Sequence, residues 1–230
     1  MLYLTLVKGK KRLSGEHATV PVIVDKAHRF AKHQSKQNLR VKTCYLIEGE
    51  AQSGKSKWLT RLYSSAQSIW RDEKPCFFLG ARQPLSQWLT NDLLKSYAYA
   101  QERDYSKLQQ WERLQVMRDY FVTEKPVLLL DNADLLAGQK LELAADLLRS
   151  CGVFVATCKT ETRIQVSVRM AIQSRKPEIV TLKSQAPADM TEVLMWIFTL
   201  ISLGVGAYGL AAALGGLSMM AKGKRASKQG

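Results

Sequence analysis

Eight consecutive residues, Gly49-Glu50-Ala51-Gln52-Ser53-Gly54-Lys55-Ser56, follow the pattern G-x-x-x-x-G-K-[ST] and run into a helix-like stretch beginning near Lys57. Each residue type has a task at that spacing. The glycines let the backbone turn tightly so that successive N–H groups face inward, the lysine reaches outer phosphates, and the Ser56 hydroxyl can ligate a divalent cation. The chemistry implied is capture of a nucleoside triphosphate with Mg2+ by residues 49–57. Farther along, Val127, Leu128, Leu129 and Leu130 run into Asp131, as at the C-terminal end of a buried parallel strand. A carboxylate there would lie beside Ser56 and hold Mg2+ through water.

Those residues need a frame. Five short apolar runs, at 44–48, 76–79, 127–131, 153–157 and 178–182, alternate with helical stretches that include 87–94, 98–122 and 166–173. Such alternation demands a parallel sheet covered on both faces, and about 140 residues suffice for one core of this kind. On the loop, the acid-tipped strand and this alternation, residues 40–183 resemble the additional-strand P-loop ATPases, which include the AAA+ and STAND groups. The resemblance implies an α/β P-loop NTPase sheet in the order 5-1-4-3-2, ATP as the nucleotide, and its hydrolysis as the activity. By the same resemblance Thr157, at the tip of its strand, would touch the γ-phosphate or the attacking water. Arg175, with Arg163 and Arg169 as further candidates, would reach into a neighbouring subunit's site.

Two features depart from that pattern. The family's strand acid is usually followed at once by Glu or Asp, and here the next residue is Asn132. An amide cannot accept a proton from water. Either Asp134 serves as the base, or hydrolysis is slow and the nucleotide acts as a switch. The small helical lid of AAA+ proteins also has no place, because Ala186-Pro187 follow the fifth strand directly.

The net charge of +14 is carried mainly by the two ends. Residues 1–43 hold ten Lys or Arg against two acids, and the tail at 222–230 holds four against none. In this basic extension, 2–7 and 19–24 read as strands joined by a loop carrying Lys8, Lys10, Lys11 and Arg12, with Pro21 favouring an edge position for the second. A helix is expected next, with Lys26, Arg29, Lys32 and Lys36 on roughly one face. These basic residues could contact nucleic acid phosphates or anionic lipid. The four cysteines, 44, 76, 151 and 158, match no zinc or redox spacing and read as buried thiols. His17, His28 and His33 lie outside the nucleotide motifs, and no Ser/His/Asp arrangement is legible.

The expected organisation is a basic extension at 1–43, an ATPase domain at 44–184 and a linker at 185–192. A membrane segment at 193–221 and a basic tail at 222–230 complete it. Residues 193–221 contain no charged side chain over 29 positions, whereas about 20 apolar residues cross a bilayer. Trp196 and Phe198 lie near one end and Lys222, Lys224, Arg225 and Lys228 at the other, as anchors would. One span there implies a tail-anchored, single-pass protein. No secretory leader is expected, since residues 1–7 alternate apolar and polar. Nucleotide supply places the ATPase domain on the cytoplasmic side, although the nearly balanced flanking charges slightly favour the tail inside. Ala207, Ala211 and Gly215 recur every four residues, with Ala212 and Gly216 beside them. That small-xxx-small pattern lets helices approach in lipid and implies a homo-oligomer. A cysteine crosslinking scan along 204–216 should show yields that peak every three to four positions; a flat profile would remove this contact.

Overall fold

Three strands precede the phosphate loop. β1 (Leu2–Lys11), β2 (His17–Lys26) and β3 (Gln34–Asn38) form an antiparallel sheet in that order. The structure is a computed structural model and describes residues 2–11, 17–26, 34–51, 53–70, 74–182, 197 and 201. The basic extension differs from expectation in three ways. Lys8, Lys10 and Lys11 belong to β1 rather than to a loop, while Arg12 lies outside the described residues. Lys26 pairs with Gln34, and Lys36 pairs with Val24, which excludes one helix carrying all four basic residues; Arg29 and Lys32 lie outside the described residues. Pro21 sits on the central strand instead of an edge. In an extended strand a residue's N–H and C=O point to the same side, and the Pro21 carbonyl accepts from Leu39 N at 2.8 Å. The missing donor therefore faces the end of the β3 ladder, whose last pair is Val22 with Asn38, and costs little.

The second sheet carries the loop. β4 (Tyr45–Gly49) leads through it into α1 (Lys55–Ser64) and α2 (Ala66–Trp70). β5 (Cys76–Gly80) is followed by α3 (Leu85–Leu89), α4 (Asp92–Ala100) and α5 (Gln110–Glu124). β6 (Val127–Asp131), α6 (Gln139–Ser150), β7 (Val153–Cys158), α7 (Val166–Ser174) and β8 (Glu178–Leu182) complete the unit. The five strands β4 to β8 are parallel, in the order β5-β6-β7-β4-β8. Whole-chain numbering includes the three strands before the loop; counted within this sheet alone, from the β8 edge, the order is 5-1-4-3-2.

Alternate side chains of β4 to β7 enter opposite cores. Leu128, Leu130, Phe154 and Ala156 pack with residues of α3 to α7, while Val127, Leu129 and Val155 pack with Trp58, Leu59 and Leu62 of α1 and Ile69 of α2. All five residues of β6 are buried, as a strand covered on both faces requires. Ile23 and Leu39 of the N-terminal segment join the cluster around α1. The stretch expected to be helical over 98–122 is interrupted between α4 and α5. There Asp104 Oδ1 accepts from Ser106 N at 3.1 Å and from Ser106 Oγ at 2.6 Å, forming a turn. α5 then starts where Glu112 reaches back to Gln109 N at 2.7 Å.

Chain contacts gather Met1–Ser184 into one compact unit and Gln185–Gly230 into another. Of the second, only Ile197 and Ile201 are described, both helical. The expected span at 193–221 and tail at 222–230 otherwise lie outside the described residues. Among the described residues no helix is long and apolar enough to cross a membrane.

One close approach fixes the entry to β7. A Cβ on Gly152 would lie 2.4 Å from the carbonyl oxygen of Lys125, well inside contact distance. Gly152→Ala should lower stability by about 1–3 kcal/mol, read as an earlier denaturant midpoint at unchanged slope; a variant as stable as the parent would show that the 125–152 approach can open freely.

Candidate functional site

The C-terminal ends of β4, β6 and β7 meet at one rim of the parallel sheet, where open α/β folds place ligand crevices. β4 ends in Gly49, and the chain turns through the loop to Gly54, whose φ of 84° is left-handed and suits glycine. α1 begins at Lys55, two residues before the sequence reading. Its first N–H groups have no acceptor within the helix, no side chain caps them, and the first turn carries no acid. A phosphate is the natural partner for such an end. Lys55 is buried, and its ammonium donates to Gly49 O, to Glu50 O at 2.9 Å and to Ser53 Oγ at 3.0 Å, curling across the loop. Burial pulls its pKa below the usual lysine range against the opposing fields of Cys158, Asp134, Asp131 and Glu50. Of the loop residues, Gln52 lies outside the described residues.

Asp131 is the hub. Its Oδ1 accepts from Ser56 Oγ at 3.0 Å and from Thr157 Oγ1 at 2.7 Å, and its Oδ2 accepts from Asn132 Nδ2 at 2.9 Å. Thr157, fully buried, accepts in turn from Asn132 N at 3.0 Å. Asn132 adopts φ 57°, ψ 52°, a left-handed conformation that Asn tolerates better than most residues. That backbone turn aims its N–H at Thr157 and starts a short 3-10 turn, Ala133–Leu135. Asp134, half-buried in that turn, accepts from Lys159 N at 3.3 Å through Oδ1.

The sheet thus brings together Lys55, Ser56, Asp131, Asn132, Asp134 and Thr157. It does not bring Arg175. That guanidinium lies before β8, donating to the carbonyls of Arg149, Cys151 and Gly152 at 3.1, 2.9 and 2.9 Å. Those carbonyls precede the N-terminal end of β7, at the opposite rim from the loop. Arg163 is exposed on the turn after β7, and Arg169 is half-buried on α7.

Two residues at the rim escaped the sequence reading. Glu48, the last residue before the loop, accepts from Glu161 N at 2.5 Å and from Thr181 Oγ1 at 3.4 Å, tying β4 to the turn after β7 and to β8. Its signal was a lone charge ending an apolar strand. Lys159 pairs with Glu50 at 3.0 Å, and that pairing holds the Glu50 carboxyl below its usual range. No spacing rule reveals it, because sheet register alone sets it beside the loop.

A hydroxyl and a carboxylate are hard oxygen donors, and Mg2+ uses few protein ligands while keeping waters and phosphate oxygens. Ser56 and Asp131 fit that requirement, and Lys55 with the free N–H groups of α1 fits a polyphosphate. Among the described residues no group of three or more His, Cys, Asp or Glu could hold a metal ion as a protein cage. The cysteines are unpaired thiols, three of them buried. Burial pushes Cys158 up to about 12, so it is protonated near neutrality and supplies no nucleophile.

No family model matches the chain, and no curated protein matches it. Among solved structures, domain III of the replication initiation protein DnaA from Thermotoga maritima is similar at 16% identity and a TM-score of 0.39, over 76% of this chain and 69% of that one. ATPases 2 and 3 of EccC from Thermomonospora curvata, in complex with a signal sequence peptide, are similar at 16% identity and a TM-score of 0.37, over 66% of this chain and 34% of that one. The cytoplasmic domain of the type VII secretion ATPase EccC from the same organism is similar at 14% identity and a TM-score of 0.39, over 74% of this chain and 23% of that one.

Proposed function

We propose that this chain is an AAA+-like ATPase that binds Mg-ATP in the 49–57 loop. Anchored in a membrane through 193–221, it would use turnover to assemble or remodel a membrane-associated or nucleic-acid complex. The hydrogen-bonded set of Ser56, Asp131 and Thr157 beside the Lys55 loop carries the nucleotide reading, since it gathers at one rim the groups that such a ligand requires. Bound Mg2+ would supply charge neutralisation across the phosphates. Ser56 and Asp131 would hold it, Lys55 and the N–H groups at the start of α1 would hold the phosphates, and Thr157 would fix the Asp131 rotamer. Asp134 would be the carboxylate that accepts a proton from the attacking water. The anchor, its small-residue face and the basic ends support a cytoplasm-facing homo-oligomer that meets anionic lipid or nucleic acid.

A second reading has its own observation. Asn132 occupies the position next to Asp131 and spends its amide on Asp131 Oδ2, while Asp134 already accepts from Lys159 N. Both features favour slow turnover and a nucleotide-held switch that oligomerises at the membrane and recruits partners.

Turnover by the full chain in detergent, with and without DNA or anionic vesicles, separates the two. Under the first reading Lys55→Ala, Asp131→Ala and Asp134→Ala each lower the rate by about a hundredfold or more, and the additive that stimulates names the partner class. Under the second, the parent binds ATP with negligible turnover and Asn132→Glu creates activity. A parent that binds no nucleotide at all would overturn both.

Thr157→Val keeps the side-chain volume but strips Asn132 N of its acceptor and Asp131 of a donor. It should cost about 1–3 kcal/mol in denaturant unfolding and raise the Mg2+ concentration needed for nucleotide binding. Unchanged Mg2+ dependence would limit Thr157 to a packing role.

A further inference from the structure

Every strand of the parallel sheet is entered past a basic residue. Lys42 precedes β4, Lys74 precedes β5, Lys125 precedes β6, Arg149 lies in the last turn of α6 ahead of β7, and Lys176 precedes β8. All five are exposed. Because the strands are parallel, these entries share one rim, at the opposite end of the strands from the 49–57 loop. In the order of the strands the row reads Lys74, Lys125, Arg149, Lys42, Lys176. Neighbouring strands lie about 4.8 Å apart, so the row spans about 19 Å.

Little at this rim offsets the charge. Arg149 shares Asp146 with Arg118, whereas the four lysines make no ion pair among the described residues. Of the acids described there, Glu178 lies by the Tyr45 hydroxyl, whose pKa burial and that carboxylate push up. Glu124 lines the same groove as Lys74, and Asp72 and Glu73 lie outside the described residues. Two of the lysines hold their places at a backbone cost. Lys125 and Lys176 both have φ of 47°, in the left-handed region where glycine sits without penalty. Helix C-termini favour nearby cations, but that accounts neither for lysine in such a backbone nor for Lys42, which follows a strand.

We propose that this rim is a binding surface for the phosphate backbone of duplex DNA. It gives the nucleic-acid partner of the function proposed above, on which it rests for the class of partner, a place on the molecule. Over about 19 Å one strand of a duplex presents about five phosphates, one for each basic residue of the row. Among the described residues no exposed large apolar side chain lies in the five entries, so nothing there would insert into a lipid headgroup layer or stack on an unpaired base. Contacts of this kind read charge and not sequence.

The test is binding of a short fluorescent duplex to the full chain in detergent across a salt series, with a melting temperature for every variant. Lys74→Gln, Lys125→Gly and Lys176→Gly combined should weaken binding about tenfold or more. They should also lower the slope of log affinity against log salt by about three, close to one per lost phosphate contact. Lys125→Gly and Lys176→Gly, each alone, should melt no lower than the parent while binding DNA less tightly, a split that a purely structural lysine would not show. Lys95→Gln, Arg103→Gln and Lys107→Gln combined, which remove the same charge from α4 and the turn after it, should leave binding within about twofold. An unchanged slope in the row variant, or an equal loss in the second triple, overturns the proposal. So does a row variant that, held in neutral nanodiscs, loses binding to phosphatidylserine vesicles and keeps its DNA, since the rim would then be a lipid surface. ATP binding on the same samples separates the two readings: a parent that binds ATP and no DNA overturns the DNA surface alone, and one that binds DNA and no ATP overturns the nucleotide reading alone.

Discussion

A carboxylate buried at the end of a central strand has to be met by donors, because an ionised group without partners in that setting costs far more than the strand gains by burying it. Asp131 is met by three, and each comes from a different direction. Ser56 reaches it from the first turn of α1, Thr157 from the neighbouring strand, and the Asn132 amide from the next residue along the chain. Satisfying that one group therefore fixes the height of α1 above the sheet, the register of β6 against β7, and the left-handed turn that leads to Asp134. The site is organised around a desolvation requirement.

The left-handed backbone at residue 132 also explains its amide. A longer acid in that conformation would carry a backbone penalty and would surrender the contact to Asp131 Oδ2. Local geometry thus favours a short amide at this position. The same reasoning applies to Arg175. Its guanidinium gathers three carbonyls around the end of α6, where unsatisfied acceptors are the rule, so within one chain the side chain already has a complete structural task.

The five-stranded sheet was legible because each of its strands is a short, mostly apolar run separated from the next by a helical stretch, and the phosphate loop because its spacing reflects backbone geometry. What escaped the sequence has physical causes. β3, Gln34–Asn38, has no apolar residue to announce a strand, and its extended form comes from pairing with β2. The basic residues Lys26, Arg29, Lys32 and Lys36, at intervals of three and four around it, have the spacing of a helix face. The turn at Asp104 and Ser106 was written in its residues, yet the apolar periodicity on either side of it masked the break. Glu48 and Lys159 act through partners far away in sequence, and only the register of parallel strands brings such pairs together.

The strand order has a consequence for how the chain comes to exist. β4, which feeds the phosphate loop, is the first strand of its sheet to be synthesised, yet its neighbours on either side are β7 and β8, the last two. Its backbone has no ladder partner until residues 153–158 have left the ribosome, and its outer edge waits for 178–182. Pairing over such separations is slow because the loop entropy must be lost before any contact is gained. The earliest functional residues are thus among the last to be locked in place. A nascent chain carries that strand with both edges unpaired while residues 50–152 are made, a period in which such edges invite misassembly.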